Sequence, residues 1–148
     1  MLPRALVGRR SLHLLFGLFL ATGVTAGASF LWAVANWIRP QGEGAFGMLY
    51  LGELSFVPAV LAWLAGGILL LMGSRDRDVR LGVALTTAHL LWWVLVLAIG
   101  TSGKAPQGKW PTILMAGVEP GLYAAGITAL AARWFWWRRG EGSVQAAA

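Results

Sequence analysis

The chain has 148 residues, 57% of them apolar and only 12% charged, with a mean hydropathy of +0.66. A soluble domain of this size needs more charge to cover its surface, since the average is roughly 25%, and disorder needs few apolar residues and a high net charge. The net charge of +6 gathers at the ends of apolar runs, where it reads as a topology signal, so nucleic acid is excluded as a partner.

Four apolar stretches dominate the chain, from about Ser11 to Ile38, Phe46 to Gly73, Val79 to Gly100 and Thr112 to Trp137. Each exceeds the roughly 20 residues that cross about 30 Å of hydrocarbon as a helix. None shows the alternation of a membrane strand. The sequence therefore predicts an all-α integral membrane protein, a single antiparallel four-helix transmembrane bundle in a lipid bilayer. The first run begins after a basic segment but is far longer than a signal-peptide core of about 7–15 residues. It is expected to stay as a helix.

The connections are short and rich in breakers. Arg39-Pro40-Gln41-Gly42-Glu43-Gly44 closes the first span, Ser74-Arg75-Asp76-Arg77-Asp78 the second, and Thr101 to Pro111 the third. Loops of this length make sequential helices antiparallel neighbours. The tail, residues 140–148, is small and polar enough to be loose. Of the 12 Lys and Arg, nine lie with the termini and the middle turn, and Arg39, Lys104 and Lys109 lie on the other side. The positive-inside rule then puts both termini in the cytoplasm, with a bacterial inner membrane as the expected location.

Aromatic residues mark the span ends. Trp32, Trp37, Phe46, Tyr50 and Trp110 fall toward the outer side and Trp134, Trp136 and Trp137 toward the inner, as indoles prefer the headgroup level. Small residues recur four apart in Gly23 with Gly27, Ala62 with Gly66, and Gly117 with Gly121. That spacing lines one helix face and lets backbones approach closely, either within the bundle or against another chain. Pro58 and Pro120 are expected to bend the second and fourth spans.

Chemistry-bearing residues are few. With no cysteine, there is no thiol nucleophile or thiolate metal site, and no metal site of any other kind is expected. No phosphate loop, HExxH motif or serine elbow occurs, and Asp76 and Asp78 sit too far from His89 for a triad; no catalytic residue is assigned. Glu53 and Glu119 each fall about seven residues inside an outer helix end, roughly 10 Å along the axis. Carboxylates at such depth face the bundle interior, a cavity or a partner, or reach back to interfacial water. Tyr50 and Tyr123 share their helix faces by spacing, so a common outer-half space lined by both carboxyls is expected. His89 lies near mid-membrane with Thr86 and Trp93 on its face. It reads as a packing residue, a proton or ligand contact, or an axial ligand to a tetrapyrrole.

Two functions follow from this reading. The first is a non-catalytic accessory subunit packed among other membrane subunits, for example in a respiratory or photosynthetic complex. The second is a small membrane protein that binds or moves a lipophilic or protonatable small molecule through an outer-half cavity lined by Glu53, Glu119 and His89.

Overall fold

A computed structural model describes residues 9–38, 44–102 and 117–146, with side chains described for 10–35, 54–99, 101–102 and 117–137. Four helices make up the described chain: α1 (Arg9–Ile38), α2 (Gly44–Leu71), α3 (Arg77–Thr101) and α4 (Glu119–Ala146). α1 packs against α2 and α4, and α3 against the same two, so the helices form a ring with α1/α3 and α2/α4 on its diagonals. The short connections from α1 to α2 and from α2 to α3 make those pairs antiparallel neighbours.

The α2–α3 turn shows how local sequence sets the ring. Gly73 takes φ 88°, the left-handed conformation that glycine adopts without strain. Its N–H donates to the Leu70 carbonyl at 2.9 Å and that of Ser74 to Leu69 at 3.0 Å, a Schellman stop. Three residues later the Asp76 carboxylate accepts from the Asp78 N–H at 2.8 Å and caps α3.

Three helical segments are long and apolar enough to cross a membrane: Arg10–Ala35, Leu54–Leu71 and Arg77–Ile99. The expected fourth is not clearly one. Its apolar start at Thr112 lies outside the described residues, and α4 itself carries Glu119, Arg133, Arg138, Arg139 and Glu141. α4 also continues past Gly140 to Ala146, through most of the segment expected to be loose. Pro120 sits in the first turn of α4, directly after a π turn at residues 117–118. There its missing N–H costs less than it would in mid-helix, and the stretch before residue 117, against which a bend of the fourth span would be measured, lies outside the described residues.

Large apolar side chains face outward, among them Leu14, Leu31, Leu71, Leu91 and Leu122, each more than 60% exposed. The interior is built from small residues (Ala26, Ala59, Ala62, Ala131) and a few rings. That distribution suits a lipid surround and close helix contact. A Cβ at Gly23 would lie 2.4 Å from Thr128 Oγ1, one at Gly121 2.7 Å from the Phe30 ring, and one at Gly117 3.1 Å from Ala33. Gly27 faces Ala124, and Gly66 meets Val83 of α3. The small-residue rows thus face sister helices of the same chain.

Trp134 differs from its interfacial expectation. It is 2% exposed and stacks on Phe16 with ring centroids 4.4 Å apart and planes at 10°. Tyr123, Ile127, Leu130 and Trp134 follow helical spacing along the inward face of α4. Trp136 and Trp137 fall on the other face and are exposed.

Candidate functional site

The site lies where α1, α3 and α4 converge. His89, on the inward face of α3, is fully buried, and its Nδ1 stands 3.0 Å from both carboxylate oxygens of Glu119. With Nδ1–H donating, the proton is shared across the carboxylate, and the imidazole is fixed in one tautomer unless Nε2 is protonated as well. The π turn and Pro120 put Glu119 at the start of α4, directed down toward His89, and its side chain keeps 22% exposure. A buried base is thereby joined to a carboxyl that reaches the bundle surface.

Tyr123 follows Glu119 by four residues and lies on the same face of α4. Its ring stacks on His89 with centroids 4.0 Å apart and planes at 7°. The phenol oxygen is 3.2 Å from Thr86 Oγ1, and Thr22 of α1 lies close to it. Thr86 donates in turn to the Gly82 carbonyl at 2.7 Å, which leaves its own oxygen to accept from the phenol. Trp93 closes the far edge of His89 in a perpendicular contact at 6.3 Å.

Two polar atoms in this group are buried without a hydrogen-bond partner among the described residues, His89 Nε2 and Trp93 Nε1. Unpaired buried donors and acceptors cost free energy and call for an explanation. In the neutral tautomer set by Glu119, Nε2 is an acceptor and Trp93 Nε1–H a donor. One acceptor and one donor are therefore left unfilled beside the His89–Glu119 pair. A tetrapyrrole at His89 would take the same Nε2, and that atom is enclosed within the described bundle.

The sequence singles out His89, Glu119, Tyr123, Thr86 and Trp93, and the structure brings these five together. Glu53 and Tyr50 belong to α2, diagonal to α4, and their side chains lie outside the described residues. Among the described side chains, His89 is the group that meets Glu119.

A second polar link was not anticipated. Arg133 donates to the carboxylate of the largely buried Asp78, joining α4 to α3 near the Ser74 turn. Asp78 and His89 are eleven positions apart, about 16 Å along α3, so charged groups bind the two helices at two levels. Arg133 falls four residues inside the expected span end and Asp78 abuts the next span. An arginine at that depth is the signal that calls for a carboxylate partner.

Comparison with known proteins finds no matching family, no matching curated protein and no matching solved structure.

Proposed function

We propose that this chain is a four-span membrane protein, with both termini cytoplasmic in a bacterial inner membrane, that trades a proton for a lipophilic amine at the His89–Glu119 pair. The observation that carries this reading is the 3.0 Å contact of a fully buried imidazole with a partly exposed carboxyl. When His89 is an imidazolium and Glu119 a carboxylate, the pair is neutral overall. A protonated amine that takes the carboxylate can replace the imidazolium charge if His89 releases its proton, so the exchange leaves the site neutral and avoids an uncompensated charge in low dielectric. The buried rings of Tyr123 and Trp93 around His89 make an apolar surround, which favours a lipophilic cation over a hydrated metal ion.

The accessory-subunit role draws on glycine rows as docking faces. Gly23, Gly27, Gly117 and Gly121 instead meet α1 or α4 of the same chain, so that role is left with the short loops, the scarcity of polar chemistry and the nine Trp. Co-purification of other membrane chains after gentle detergent extraction would revive it.

The binding reading is tested with a lipophilic tertiary amine titrated onto the purified protein, following tryptophan fluorescence. Saturable quenching accompanied by proton release to a pH dye is expected, and both are expected to disappear in Glu119→Gln and in His89→Ala. Quenching without saturation, or unchanged in both variants, refutes the exchange. For topology, cysteines placed at Gly42 and Gly108 are expected to react with an impermeant thiol reagent from outside intact cells, and one at Ser74 only after lysis. Labelling of Ser74 in intact cells would reverse the orientation, and labelling of Gly108 alone among the two loop sites would remove one span.

A further inference from the structure

The basic end of the bundle carries a second feature that the amine site does not use. Arg133, Trp136 and Trp137 are spaced i, i+3 and i+4 on α4, so their side chains emerge on one face. Together they line an open recess of about 490 Å³. Trp136 is 83% and Trp137 67% exposed, whereas their neighbour Trp134 is buried in the core. Arg133 is held from below by Asp78, which engages one guanidinium nitrogen, NH2. A guanidinium has five N–H donors in a rigid fork, so donors remain for an oxyanion above the two indoles.

The surroundings favour an anion. Arg10, Arg75, Arg77 and Arg80 are exposed at the same end. The acidic residues of the turn are engaged, Asp76 as the cap of α3 and Asp78 with Arg133. We infer that this recess is a binding site for an anionic phospholipid, with Arg133 on the phosphate and Trp136 and Trp137 along the glycerol and upper acyl chains. Exposed indoles at a basic helix end suit the headgroup level, where an aromatic ring has one apolar and one wet side. A soluble phosphate would use the arginine but gain nothing from the apolar recess, so the lipid is the source the geometry favours. The inference does not depend on the amine site.

The test uses the full-length protein in nanodiscs of zwitterionic lipid doped with a minor fraction of chain-brominated phosphatidylglycerol or, separately, brominated phosphatidylcholine. Bromine quenches tryptophan only on contact. Stronger quenching by the anionic lipid at equal fraction is expected. Trp136→Phe with Trp137→Phe is expected to abolish that difference. Arg133→Lys keeps the charge and a partner for Asp78 but loses the fork, and is expected to reduce the preference several-fold. Neutralising Arg75, Arg77 and Arg80 to Gln is expected to weaken the preference by about fivefold per charge. Equal quenching by both lipids overturns the site. So does a preference that survives both the double tryptophan variant and Arg133→Lys, or one erased by excess inorganic phosphate at constant ionic strength, which would assign the recess to the free anion.

Discussion

Glu119→Ala is expected to destabilise the bundle more than any other single change at the polar junction. His89 is completely enclosed, and Glu119 is the acceptor its Nδ1 has. If the imidazole is neutral, the variant strands one buried N–H, a cost of about 1–3 kcal/mol. If the pair is ionised, an imidazolium is left buried without its counter-charge, and the cost rises to about 3–5 kcal/mol. The size of the effect therefore reports the charge state of the resting pair. Glu119→Gln retains a carbonyl acceptor but no charge, so it is expected to cost clearly less than Glu119→Ala if the imidazole is neutral and nearly as much if the pair is ionised. Unfolding of the purified protein in mixed micelles by increasing sodium dodecyl sulfate measures both. Wild-type stability for Glu119→Ala would mean that the 3.0 Å contact contributes nothing and that His89 has another partner.

The same junction shows which parts of the molecule a sequence reveals. The spans from Ser11, Phe46 and Val79 are legible because apolar length is a property of consecutive residues, and α1 to α3 begin within two residues of them. The fourth is harder to read because Glu119, Arg133 and the later arginines interrupt it. His89, Glu119 and Tyr123 stand out singly, since an ionisable or phenolic group is conspicuous in an apolar run. That Glu119 and Tyr123 share a face follows from four-residue spacing, as does the placing of Thr86 and Trp93 with His89. That Glu119 meets His89 depends on the rotation of α4 against α3, which the packing of distant residues decides and no local pattern records. Thr22 is invisible for the same reason, because it approaches the phenol from α1. Trp134 is misread as interfacial because residue type and position along the chain both favour that level. Its rotation toward Phe16 places it in the core instead.

Rotation and approach of the helices are set in turn by glycines, and Gly82 is the most sensitive of them. A Cβ at Gly82 would stand 2.4 Å from the Phe19 ring, which α1 extends across the bundle to α3. Phe19 is fully buried and packed edge-on to Phe16 at 5.6 Å, so it has no room to swing aside. Gly82→Ala is therefore expected to destabilise by about 1–3 kcal/mol through overpacking, against the roughly 1 kcal/mol that Gly→Ala contributes in an unobstructed helix. Gly67→Ala supplies that reference, since nothing lies within 4 Å of its added Cβ; it is expected to be neutral or stabilising. Phe19→Ala alone opens a cavity and is expected to cost about 3–5 kcal/mol. In the double variant the added methyl enters the space the ring has vacated. Its cost is then expected to fall short of the sum by about 0.5–3 kcal/mol, the range of coupling between residues in contact. Thermal unfolding in detergent, run on all four proteins, gives the cycle. Strict additivity would show that Phe19 and Gly82 do not touch. Gly82 would then no longer anchor α3 beneath Thr86, whose hydroxyl donates to the Gly82 carbonyl and meets the Tyr123 phenol. A shift of that carbonyl moves Thr86, and through it the ring stacked on His89.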